Sequence, residues 1–226
     1  MSTPVGTSTG GDFTDEVTVS VPAGTQDGDY MVALVTANDG TGITPPVGWT
    51  LVREDLFTTT SGVAMWVYER VADSEPADYT WAWDASHWHF VAIVTWRGYD
   101  PIGASAHREA AGVTEIALPS LVAQQGDLLL AFGFHWGTAT KEWDSDDLTE
   151  IVNLPRAIIA AYEVQAGGPT PEYTLTASSS GTMGATALLL PAPGNVPVTP
   201  QERLWSCGFE LASDADGVEV DGIGGN

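Results

Sequence analysis

Among its 226 residues the chain has one cysteine, Cys207, and one lysine, Lys141. A single thiol closes no intrachain disulfide and supplies no cysteine-based zinc site. Cations of any kind are scarce: 7 lysines and arginines face 30 aspartates and glutamates, for a formal net charge of −23. Binding to a phosphate backbone depends on lysine and arginine displacing counterions, so no nucleic-acid partner is expected. An anionic membrane surface is disfavoured for the same reason. No apolar run approaches the ~20 residues that a membrane helix needs. Met1 is followed by small and polar residues, not by a charged and then an apolar leader. The expectation is a protein made in soluble form, with no secretion address of its own. Catalytic signatures are missing as well: no Gly-x-Ser-x-Gly, no His-Glu-x-x-His, no glycine-rich phosphate loop. A glycosidase needs only two carboxylates, but no spacing singles out a pair among the acids. The reading is a non-enzymatic protein without a cofactor.

What is present is a pattern of strands that occurs twice. Gly28-Asp29 feeds the apolar run Tyr30 to Ala37, and Gly126-Asp127 feeds Leu128 to Gly133. Runs this short, rich in β-formers and apolar throughout, predict strands buried on both faces. Around them lie further matches. Pro46 to Val52 corresponds to Trp143 to Val152, each a turn and a short strand; Val63 to Ala72 corresponds to Ala157 to Ala166, and Pro76 to Thr80 to Thr170 to Thr174. The tyrosine pairs Tyr68/Tyr162 and Tyr79/Tyr173 share one offset (162 − 68 = 94; 173 − 79 = 94). Each copy closes on an apolar strand, Phe90 to Trp96 and Ala185 to Leu190. Val17, Val19 and Val21 alternate with polar residues, as in a half-buried strand. Turn signals recur at the spacing of a sandwich or barrel, and no window reads as an amphipathic helix. The expected fold is all-β: an antiparallel, jelly-roll-like β-sandwich of two tandem repeats with approximate two-fold symmetry.

The organisation expected from composition has six parts. Residues 1–14, rich in Ser, Thr and Gly, form a flexible arm. Residues 15–100 are the first repeat, 101–113 a connector crossing the surface, and 114–192 the second repeat. Residues 193–200 are a proline-stiffened linker, and 201–226 lead to a missing or partner-supplied module.

Four groups of side chains invite a site. In strand geometry Tyr79, Trp81 and Trp83 share a face, and Trp88 follows close behind. Trp81, Trp83 and Trp88 are therefore the candidate ligand-binding residues, a row able to stack on the sugars of a cell-surface glycan. Packing in the core is the competing reading. His87 and His89 share a face, but no third metal ligand accompanies them. Asp144, Asp146 and Asp147 cluster in one turn, and Asp214 and Asp216 in another. The second lacks the acids that an EF-hand loop needs, Ala212 and Ile223 standing in those places. No metal is expected.

Four stretches together resemble a known family. They are Gly28-Asp29 with its apolar strand, Pro46-Val47-Gly48-Trp49-Thr50, Tyr68 to Pro76, and Trp96-Arg97-Gly98-Tyr99-Asp100-Pro101. The set is similar to a duplicated β-sandwich module of tailed-bacteriophage virion proteins, of the minor tail, fibre or head-decoration type. The resemblance spans about residues 15–192. The second copy lacks the Pro-x-Gly-Trp-Thr element and the arginine after Tyr-Glu. The resemblance implies a structural virion protein, assembled in the host cytoplasm and exposed on the particle. It would bind other virion proteins, as a homo-oligomer, and would not act on nucleic acid or membrane.

Overall fold

The computed structural model describes residues 3–38, 42–58 and 62–195, and the chain is all-β there. In chain order the strands are β1 (Gly6–Ser20), β2 (Tyr30–Ala37), β3 (Thr50–Leu56), β4 (Ala64–Val71), β5 (Asp78–Trp96), β6 (Ala104–Ala117) and β7 (Val122–Ala123). They continue as β8 (Leu128–His135), β9 (Lys141–Trp143), β10 (Thr149–Asn153), β11 (Ala157–Glu163), β12 (Gly168–Pro169) and β13 (Thr174–Leu190). One sheet has the order β1-β5-β2-β4-β3, and the other β6-β13-β8-β11-β10, with β9 added to β13. All of these pairs are antiparallel. Each sheet is drawn from one continuous stretch of chain. The order β5-β2-β4-β3 is not the Greek key on which a jelly roll is built.

β2 and β8 lie in the middle of their sheets and are buried along their whole length. Alternate residues of β2 serve different cores. Tyr30, Val32 and Leu34 face a cluster shared with Leu128, Leu130 and Phe132 of β8, so this core joins the two sheets. Met31, Ala33 and Val35 face the other way, against Val17, Val19, Trp66 and Trp81. A strand enclosed on both sides has no polar face, which explains its continuous apolar run.

The cover on the outer face comes from the sheet's own long strands. At ~3.3 Å per residue, the 19 residues of β5 outrun the 8 of β2. The surplus half of β5, Tyr79 to Trp83, pairs with Val17 and Val19 of β1 and folds back over the sheet. The bend falls where the register moves from Thr14↔His87 to Glu16↔Ala82, five residues on β5 against two on β1. β13 and β6 bend alike, from Thr176↔Glu115 to Gly181↔Val113. Thr44 forms an isolated bridge to Ala82 in the first sheet, and Glu142 pairs with Thr176 in the second.

Glycine is required at the turns that enter β2 and β8. Gly28 and Gly126 have φ of 88° and 90°, a region that costs a side chain dearly. Beside them Asp29 and Asp127 accept hydrogen bonds from the Gln26 and Gln124 amides, both at 2.8 Å.

Several expectations need correction. The stretch expected as a loose N-terminal arm is strand from Gly6 onward, paired with β5 from Gly6↔Thr95 to Thr14↔His87. The connector is β6 from Ala104, paired with β13. The apolar strand expected at Phe90 to Trp96 is the end of a longer strand, β5, which begins at Asp78. The Tyr68/Tyr162 match is out of register, since Tyr68 pairs with Ala33 but Tyr162 with Leu129. Ala72 and Val164 each exchange two backbone bonds with a Gly-Asp turn, at a spacing of 92 (164 − 72) and not 94. Residues 196–226, with Cys207, Asp214 and Asp216, lie outside the described residues.

Candidate functional site

The candidate tryptophans separate. Trp81 is 0% and Trp83 7% exposed, whereas Trp88 is 41% exposed. Trp81 packs at 5.5 Å from the Trp49 ring and 5.0 Å from the Tyr68 ring, inside the outer cover of the first sheet. Burial there and the charge of Glu54 push the Tyr68 hydroxyl up to about 12. Trp83 lies flat on His89, with centroids 3.9 Å apart and planes within 4°. Sharing a strand face was foreseen, and of the two readings given for this row, packing in the core is the one that Trp81 and Trp83 follow. Trp81 and Trp83 therefore offer no stacking surface to a glycan, and Trp88 alone of the three faces solvent.

His89 is buried, and its Nδ1 lies 2.8 Å from the Thr14 carbonyl. The His87 and His89 rings are 6.3 Å apart. Asp144 accepts from the Thr174 amide at 2.7 Å, so it ties a turn to β13. Among the described residues no group of three or more His, Cys, Asp or Glu is placed to hold a metal ion.

Beyond their shared core, the two sheets also meet along two sides, and these joins differ. At the first, β3 meets β6 and β13. Arg53 holds both oxygens of Asp55 at 2.7 Å. Asp55 Oδ2 lies 3.4 Å from His107 Nδ1, which is 2.8 Å from Thr186 Oγ1. Burial holds the His107 imidazole below its ordinary pKa, more than Asp55 raises it, and Arg53 lowers it further. Glu109 accepts from the Thr58 amide at 3.0 Å and hydroxyl at 2.6 Å. Phe57 fills the space above Gly184, edge-on to Phe134 with centroids 5.5 Å apart. This join is closed.

At the second join, β1 and β5 meet the turn between β10 and β11. Arg156 donates from Nη1 to Asn38 Oδ1 at 2.9 Å. Its guanidinium lies over Trp88 at 5.8 Å and over Trp136 at 5.4 Å. A cleft of about 260 Å3 remains, lined by Gly11, Trp88, Phe90, Thr138, Pro155 and Arg156. Behind it Lys141 is buried, its Nζ donating to the Pro155 carbonyl at 3.0 Å and the Ala139 carbonyl at 3.2 Å. Burial lowers the Lys141 ammonium, and it lowers the nearby His135 imidazole too. Sequence reasoning found Trp88 but missed Arg156, for which no motif or local spacing gave a signal.

A second polar cleft, about 370 Å3, includes Tyr30, Glu69, Arg70 and Asp73. Its groups are engaged with one another. The Tyr30 hydroxyl donates to Glu69 and accepts from the Ile102 amide at 2.9 Å. Arg70 is paired with Glu75 at 2.8 Å.

No family model matches the chain, and no curated protein and no solved structure matches it either.

Proposed function

We propose that the chain is a non-enzymatic structural and interaction protein of a bacteriophage virion, of the minor tail, fibre or head-decoration type. In this reading residues 6–96 and 104–190 are two copies of one module. Their sheets stack as a single sandwich with approximate two-fold symmetry. The recurring strand order, the twin bends and the matched Gly-Asp turns support that duplication.

One observation carries the functional reading: the motif residues on which the resemblance rests converge on one framework. Asp29 of the first motif is held through both oxygens by Arg97 of the last, at 2.7 Å each. Trp49 of the second packs at 5.3 Å from the Tyr79 ring, and Arg70 of the third lies 5.7 Å from the same ring. Trp96 belongs to the core shared by the sheets. Motifs spent on a framework suit a module that presents surfaces, docks on neighbouring virion proteins and assembles as a homo-oligomer.

The test is to probe density-banded phage particles, from the host that carries the gene, with antibody raised against the chain. Co-banding with the particles, and light scattering that gives a trimer or larger assembly, are expected. A free monomer absent from the particle fraction sinks the proposal.

A further inference from the structure

The cleft at the second join has the composition of a small-molecule site: aromatic walls and few, well-placed polar groups. Phe13, 57% exposed and not itself part of the lining, stands edge-on to Trp88 at 5.8 Å and 72°, so the two rings form an open corner beside the cleft. Aromatic faces are electron-rich and attract ligand C–H groups that carry partial positive charge. Opposite them Arg156 is held in place by Asn38 and by its seat over two indoles. A guanidinium has five N–H donors, and Nη1 gives one to Asn38. Thr138 adds a hydroxyl to the rim. The volume, about 260 Å3, falls below the ~300 Å3 where drug-sized pockets begin, so it suits one ring and not several. A net charge of −23 repels anions and weighs against phosphates and acidic sugars.

We propose that this cleft binds one neutral pyranose ring. The apolar face of the sugar lies in the Phe13–Trp88 corner, and its hydroxyls accept from Arg156 at the rim. The site spans both sheets, draws Arg156 from the second and Phe13 and Trp88 from the first, and does not depend on the virion reading.

Saturation-transfer NMR on the full chain tests it, with the methyl glycosides of glucose, galactose, mannose and N-acetylglucosamine at millimolar concentration. Irradiation of protein aromatic protons is expected to saturate ring C–H protons of at least one glycoside. Affinity for it should weaken about tenfold or more in Trp88→Ala and in Arg156→Gln. If Trp88→Ala does not unfold cooperatively, Phe13→Ala decides in its place, since that ring is largely exposed. Transfer to none of the four glycosides overturns the proposal, as does transfer undiminished in Phe13→Ala. Binding only of a glucuronide, or only of a proline-rich peptide, overturns it too.

Discussion

The two joins between the sheets solve one problem in opposite ways. Where β3 meets β6, a buried carboxylate, an arginine, an imidazole and a hydroxyl engage one another, and Phe57 occupies the room left by Gly184. Where β1 meets the β10–β11 turn, the contact is an arginine lying on two indoles, and a cleft stays open. The difference teaches which parts of such a protein are free to serve a ligand. A join closed by paired, largely buried polar groups cannot yield one partner cheaply. A join made by a cation on aromatic faces costs little to rearrange.

The sharpest way to break the comparison is Asp55→Ala. It leaves the part-exposed Arg53 without its carboxylate and takes a neighbour from the buried His107, and should cost about 2 kcal/mol in chemical denaturation. The corresponding change at the open join, Arg156→Gln, should cost roughly 1 kcal/mol or less. Equal losses would show that the joins are energetically alike.

Next comes Gly184→Ala. The added methyl would meet Phe57 and come within 2.9 Å of Met65 Sδ. Overpacking should cost about 1–3 kcal/mol. Phe57→Leu should recover part of that loss in a double-mutant cycle, and strict additivity would refute the contact.

The smallest expected effect is a pH dependence. The His107 pKa is depressed in the fold, so the unfolded chain binds the extra proton. Stability from this group is complete above the unfolded value of about 6.5, and it declines as pH falls through that value towards the folded pKa. His107→Gln should flatten that part of a stability–pH curve. His135, depressed by burial in the same sense, should leave a residual slope. An unchanged curve in the variant would remove His107 as a contributor.

Much of this architecture is written in the sequence, and the failures are physically specific. Tyr30 to Ala37 was legible because both faces of that strand are buried, so its residue types are constrained throughout. Val17 and Val19 were legible by alternation. Gly6 to Thr14 was not, because an edge strand of Ser, Thr and Gly carries no apolar period; its partner, β5, comes from far along the chain. β6 was hidden by His107, Arg108 and Glu109, polar residues that suit an edge and read locally as a connector. At the candidate site, parity correctly put Trp81 and Trp83 on one face. Which face the fold then closes depends on the bend near Thr14, and no residue at that bend announces it. Trp88 was legible as an aromatic, but its cation comes from the other sheet.

The long folded-back strands have a consequence for synthesis. The first sheet pairs within itself, and its last strand ends at Trp96. The strands that cover its inner face end only at Leu190 (190 − 96 = 94 residues later). At ~5–20 residues per second of translation, Val32, Leu34, Val67 and Trp96 would wait about 5–20 seconds for their partners. For that interval the nascent chain carries a finished sheet with an uncovered apolar face, where a chaperone or a neighbouring nascent copy would bind first.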